Sequence, residues 1–96
     1  MELLVTYDVD TTTPEGERRL RQVAKICEGV GHRVQKSVFG ITCTPAQRLQ
    51  LEARLQSTID SGLDSVRIYH LDRGTFHTAR HLGAAVDIAH TGAWII

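Results

Sequence analysis

Few of the features that announce a function by themselves occur in this sequence. It has 2 cysteines, Cys27 and Cys43, which form no C-x-x-C pair and no zinc-finger spacing. That sets aside thiol redox chemistry and leaves two buried or semi-buried thiols, as expected in a reducing cytoplasm. There are only 2 prolines, and with 42% hydrophobic and 23% charged residues the chain is neither disordered nor collagen-like. Apolar runs such as Leu3-Leu4-Val5 are far too short for a membrane span or a signal-peptide core. No Gly-rich phosphate loop or nucleophile elbow is present, which sets aside dinucleotide cofactors and triad hydrolysis. Nor is there an excess of either charge: 11 basic residues balance 11 acidic ones, so no global field draws the chain to nucleic acid or an anionic membrane.

What is there is a local charge asymmetry. Residues 1–13 hold Glu2, Asp8 and Asp10 and no base, whereas residues 14–36 hold six bases and three acids. An acidic segment followed at once by a basic one is the first hint of a site. A chain of 96 residues allows one domain and is marginal as a monomer, for which oligomerisation is a common remedy.

The apolar patterning indicates an α+β order. Residues 2–9 read as a strand with Leu3, Val5 and Tyr7 on one face and Leu4, Thr6 and Asp8 on the other. Both faces begin apolar, so a central strand is expected, with Asp8 at its carboxyl end. Thr13-Pro14 opens a helix, in which Leu20, Val23, Ala24 and Cys27 form the inner stripe before Gly29 and Gly31. Residues 33–42 are extended, and Gly40 is the expected bulge or turn that splits them into two antiparallel strands. Thr44-Pro45 opens a second helix, with Leu51, Leu55 and Ile59 inward, broadened by Leu49 and Ala53, and Gly62 as its stop. Residues 64–71 alternate as a strand. This order predicts a ferredoxin-like βαββαβ sandwich over residues 1–74, with both helices on one face of the sheet and the other face bare. Residues 75–96 form a tail ending in Trp94-Ile95-Ile96, expected to add a strand to a sheet edge, in particular that of a second subunit.

Chemistry concentrates at Tyr7-Asp8, with Asp10 just beyond. A carboxylate at a strand end beside a loop into a helix can hold a hard cation such as Mg²⁺; the plainer alternative is a turn-forming acid. One carboxylate is thin for a metal nuclease, but a two-fold dimer would bring two copies of Asp8 together. Arg18, Arg21 and Lys25, with Arg19 on their flank, give the first helix a basic face, which Arg33 and Lys36 extend. That face suits phosphate contacts, or is simply solvated, and Glu15, Glu17 and Glu28 dilute it. His77 and His81 stand four apart, with His90 further on, but lack the remaining ligands of a zinc site.

Leu4-Val5-Thr6-Tyr7-Asp8-Val9, Arg18-Arg19-Leu20-Arg21 with Val23-Ala24-Lys25, Arg33-Val34-Gln35-Lys36-Ser37-Val38-Phe39, Asp64-Ser65-Val66-Arg67-Ile68-Tyr69 and the closing run from His81-Leu82-Gly83 to Ile96 together resemble the CRISPR-associated Cas-two family. The resemblance covers nearly the whole chain. It implies a ferredoxin-like homodimer whose C-terminal strands extend the partner's sheet. It also implies an endonuclease dependent on Mg²⁺ (or Mn²⁺), acting on double-stranded DNA or single-stranded RNA, that serves in spacer acquisition with the family's integrase subunit. By the same resemblance Asp8, which binds the metal, and Tyr7 are the catalytic residues, and Ser37 and Phe39 line their region as nucleic-acid contacts. Arg18, Arg19, Arg21 and Arg33 match basic positions suited to the nucleic-acid backbone. Many relatives place an acid after the motif phenylalanine, where this chain has Gly40. Two further readings stay beside the nuclease: a non-catalytic dimeric DNA scaffold of the integration complex, which needs the bases but not Asp8, and a small-ligand or assembly module on the same fold.

Overall fold

A computed structural model describes residues 1–84 of the chain. Strand β1 (Glu2–Asp8) buries Leu3, Val5 and Tyr7 on one face. The two-residue period therefore turns Glu2, Leu4, Thr6 and Asp8 to the other. Helix α1 (Pro14–Glu28) begins where Thr13 accepts a hydrogen bond from the Gly16 N–H at 3.1 Å, with Glu15 and Glu17 in the positive first turn. Gly16 is required there by packing: a Cβ would lie 1.9 Å from the Asp10 carbonyl oxygen, so only glycine lets the helix start sit against the loop that follows β1. Helix α2 (Pro45–Thr58) starts with a reciprocal cap, the Thr44 N–H donating to Gln47 Oε1 and the Gln47 N–H to Thr44 Oγ1.

Strands β2 (Gly31–Gln35), β3 (Val38–Thr42) and β4 (Ser65–Leu71) join β1 in one antiparallel sheet of order β2-β3-β1-β4. Both helices lie on the Leu3-Val5-Tyr7 side. Val23, Ile26 and Cys27 of α1 and Leu51 and Leu55 of α2 pack there with Phe39 and Ile41. Burying each large apolar side chain of this layer contributes about 1.5–3 kcal/mol.

Three details differ from the sequence reading. Gly40 does not break the extended segment: it lies within β3, buried, opposite Leu4 and His32. The chain reverses at Lys36-Ser37, and the bulge falls at Val34, where the register slips between Arg33 and Gln35. Leu49 and Ala53 point outward, because α2 touches the core only through the narrow Leu51–Leu55 stripe. Finally, α2 ends before Gly62. The chain turns extended at Ile59, and the Asp60 carbonyl then accepts from the Leu63 and Asp64 N–H groups in a tight turn.

The face away from the helices is covered at one end. Residues 72–78 fold back so that the Glu2 carboxylate accepts from the Gly74 N–H at 2.7 Å and the Phe76 N–H at 2.9 Å, and Phe76 is buried. These two N–H bonds, Phe76 first, hold the Glu2 carboxyl below its ordinary value despite desolvation. A depressed carboxyl adds stability that is complete above its ordinary range and is lost as pH falls through the folded value. Protection of the Gly74 and Phe76 amides against exchange, relative to their intrinsic rates, should therefore fall as pH drops below the ordinary glutamate range in the wild type, and should be low already at neutral pH in Glu2→Gln. Equal protection of both amides in the two proteins at pH 7 would refute this clasp. Leu4, Val38 and Tyr69 remain on the uncovered part of this face. The terminal strand expected at Trp94-Ile95-Ile96, like His90, lies outside the described residues.

Candidate metal and nucleic-acid site

Asp8 is the last residue of β1 and is exposed, and its carboxylate makes no hydrogen bond or ion pair among the described residues. Ser65 stands opposite it on β4. On the other side the Lys36-Ser37 turn closes in, held by the Tyr7 N–H donating to the Ser37 carbonyl at 3.1 Å. Asp8 is thus a free carboxylate on a rigid central strand, where position is well defined.

Asp10 is occupied differently. Its carboxylate accepts from the Thr12 hydroxyl at 2.7 Å and the Thr12 N–H at 2.9 Å, and these bonds, the hydroxyl first, lower its carboxyl below the ordinary value. It shapes the loop into α1 and leaves Asp8 as the free acid at the strand end.

Behind this loop lies a residue that sequence reasoning missed as a site element. Asp64, with its side chain fully buried, accepts from the Asp10 N–H at 3.0 Å, the Asp60 N–H at 2.9 Å and Arg19 Nε at 2.8 Å. Desolvation pushes its carboxyl up, but the Arg19 guanidinium and the two N–H groups together outweigh this and hold it below its ordinary value. One carboxylate therefore ties together the loop after β1, the first half of α1 and the turn before β4. Arg19 is correspondingly committed to this pair rather than free for a phosphate. The partners are 45 residues apart, a contact no local pattern encodes.

Of the remaining candidates, Tyr7 and Asp8 are neighbours whose side chains face opposite ways. Tyr7 is buried in the helix layer, its ring stacked with Phe39 at 6.2 Å between centroids. Burial pushes its phenol above the ordinary value, opposed by the Arg33 guanidinium. Phe39 is wholly buried, so its ring is out of reach of a ligand; it supports the Arg33 guanidinium, which lies 4.8 Å above it. Arg33 Nη1 also donates to the Lys36 carbonyl. Arg33 is thus an exposed cation on a fixed base, and Tyr7 and Phe39 act as that base rather than as contacts. Ser37 is half-buried in the turn. Arg18, Arg21 and Lys25 are exposed along α1 and engage no partner among the described residues.

Cys27 and Cys43 are buried and free, and burial pushes the Cys27 thiol up to about 11. His77 lies in the 3-10 turn Thr75–Thr78 and His81 beyond it, so their four-residue spacing is not on a helix. Among the described residues no three His, Cys, Asp or Glu side chains lie together in a way that could hold a metal ion. What the described residues of one chain present at this end is a single exposed, hard oxygen donor, Asp8. Among the described residues no helix is long and apolar enough to cross a membrane.

An antiparallel β2-β3-β1-β4 sheet backed by two helices, with a free acid at the end of its central strand and a basic first helix, defines a ferredoxin-like α+β protein with an open carboxylate end. A family model described as CRISPR associated protein Cas2 matches residues 1–79. The chain belongs to the Cas2 family. It is 51% identical over 88 residues to a Rhodospirillum rubrum protein named CRISPR-associated endoribonuclease Cas2 3, covering 90% of this chain and 93% of that one. It is 43% identical over 88 residues to the CRISPR-associated endonuclease Cas2 of Halalkalibacterium halodurans, covering 92% of each. Among solved structures, Streptococcus pyogenes Cas2 at pH 6.5 superposes with a TM-score of 0.78 at 47% identity, covering 86% of this chain and 100% of that one.

Proposed function

We propose that this chain is a homodimeric, Mg²⁺-dependent endonuclease of a CRISPR system that cuts phosphodiester bonds in RNA or DNA and serves in spacer acquisition beside the integrase subunit. The reducing cytoplasm suits its free thiols. The observation that carries the reading is Asp8: an exposed carboxylate on a rigid strand, without a partner among the described residues, in a family whose relatives bear the names endoribonuclease and endonuclease. The uncovered sheet face around Leu4, Val38 and Tyr69 is the surface through which two copies would pack, uniting their Asp8 residues.

When bound, Mg²⁺ (or Mn²⁺) lowers the pKa of a coordinated water and neutralises charge on the scissile phosphate. Two Asp8 carboxylates, one per subunit, would hold the ion. Arg18, Arg21 and Lys25, which have no ion-pair partner among the described residues, and Arg33, fixed on Phe39, grip flanking phosphates and align the backbone. Tyr7 and Phe39 keep Arg33 in place from below. Asp64 and Arg19 keep the loop after Asp8 from moving. Phosphate contacts carry no base information, so cleavage shows little sequence preference. The testing experiment is incubation of duplex DNA and single-stranded RNA with the purified protein in Mg²⁺ or in EDTA. Cleavage that EDTA stops supports the reading, and cleavage indifferent to EDTA refutes it.

One observation favours a second reading. With Asp10 and Asp64 engaged, Asp8 is the one carboxylate of the strand end and its following loop left unpaired among the described residues, which is thin for a metal nuclease but suffices for a DNA-binding scaffold whose bases do the work. Under both readings, charge reversal at Arg18 and Arg21 should weaken duplex binding about tenfold or more and flatten its salt dependence by about 0.9 in log–log slope per contact removed. Binding titrations at several salt concentrations check this. Spacer acquisition in cells separates the two readings, because the scaffold tolerates Asp8→Ala and the nuclease does not.

A further inference from the structure

A cleft between α1 and α2 enters the reading above only through Lys25. It is lined by Gln22, Lys25 and Ile26 on one wall and Arg54, Ser57 and Thr58 on the other, with a volume of about 640 Å³. Lys25 and Arg54 bring two cations to opposite walls. No carboxylate lines the cleft, and neither cation makes an ion pair among the described residues. The other basic side chain of α2, Arg48, is paired with Glu52 one turn on, so the free cation of this helix is the one at the cleft. The last turn of a helix ordinarily presents bare carbonyls that repel an anion. Here the Arg54 carbonyl is taken up by the hydroxyls of Ser57 and Thr58, at 3.0 and 2.8 Å. Gln22 and Ile26 complete the α1 wall, and Gln22 adds amide donors.

The cleft also continues an existing feature. Arg18, Gln22 and Lys25 are spaced i, i+4, i+7 on α1, so a stripe of donors about 10 Å long runs along the helix into the cleft. We propose that the α1–α2 cleft is a second binding site for the nucleic-acid backbone, in which Arg54 and Lys25 clasp a phosphate after the strand leaves Arg18. The proposal rests on the nucleic-acid reading above and extends it to residues of α2. An acidic protein segment would satisfy the same two cations, but the continuity with the Arg18 stripe favours a polyanion long enough to span both.

The test is titration of the full-length protein with fluorescein-labelled duplex DNA and single-stranded RNA at 50–200 mM salt, for wild type, Arg54→Ala, Arg54→Lys and Arg48→Ala. A phosphate contact at Arg54 predicts about a threefold to tenfold loss of affinity in Arg54→Ala, uniform across sequences, and a log–log salt slope shallower by about 0.7–0.9. Arg54→Lys should restore most of the slope, and Arg48→Ala should match the wild type. Arg54 is exposed, so the fold tolerates its replacement, and unchanged far-UV circular dichroism verifies this. Wild-type affinity and slope in Arg54→Ala would overturn the cleft site and leave the nucleic-acid reading standing. A wild type that binds neither nucleic acid would overturn both.

Discussion

Asp8→Asn is expected to reduce Mg²⁺-dependent cleavage by at least ~100-fold while leaving the fold and the assembly unchanged. The expectation follows from what Asp8 does not do. Its carboxylate is exposed and joins no hydrogen bond or ion pair among the described residues, so its charge contributes nothing to folding. Asparagine keeps the shape and removes the anion that a hard cation requires. A two-fold assembly would lose both anionic ligands at once, which is why the loss should be near-complete rather than partial. The comparison is of cleavage rates for the two proteins on RNA and on duplex DNA, with melting temperature and sedimentation recorded alongside. A mutant that cleaves at the wild-type rate would show that the activity belongs elsewhere in the chain or to a contaminant, and the scaffold reading would take its place.

The largest effect on stability should come from Asp64. Replacing it by alanine leaves the Arg19 guanidinium and the N–H groups of Asp10 and Asp60 without their acceptor, at a cost of about 3 kcal/mol. In a domain of this size that lowers the melting temperature by more than about 10 °C, measured at one fixed protein concentration so that assembly does not confound it. Asp64→Asn keeps an acceptor oxygen and should lose less. Because the Asp64 carboxyl is held below its ordinary value, its contribution is complete above the ordinary aspartate range and disappears as pH falls through the folded value. The gap between wild type and Asp64→Asn should therefore be widest near neutrality and close only as pH falls below the ordinary aspartate range. A melting temperature of Asp64→Ala within 2 °C of wild type would show that the network is ornamental. The same substitution should also slow cleavage, since it frees the loop that follows Asp8.

Much of this molecule is readable without coordinates because it is written in short periods. The two-residue alternation of β1 separates Tyr7 from Asp8 and puts Asp8 on the helix-free face, and the Thr13-Pro14 and Thr44-Pro45 pairs mark both helix starts. The basic stripe of Arg18, Arg21 and Lys25 is equally local. The sequence misleads where a residue type has more than one use. Gly40 resembles a breaker but sits inside β3, and the turn falls instead on Lys36-Ser37, residues with no strong turn signal. Leu49 resembles a core residue but is 61% exposed, because helix packing rather than hydrophobicity decides which turn of α2 meets the sheet.

The amino-acid order alone determined the α+β elements, their sequence, the caps, and an acid at the end of the first strand, since all of these depend on residues within a turn or two of one another. Only the tertiary structure decided which charges are free. Asp64 captures Arg19 from 45 residues away, Glu2 captures the amides of Gly74 and Phe76 from 72 and 74 away, and Arg54 and Lys25, left unpaired among the described residues, line one cleft between two helices. Such pairings are set by how the layers stack, and a chain carries no periodic signal for a partner that lies on another layer.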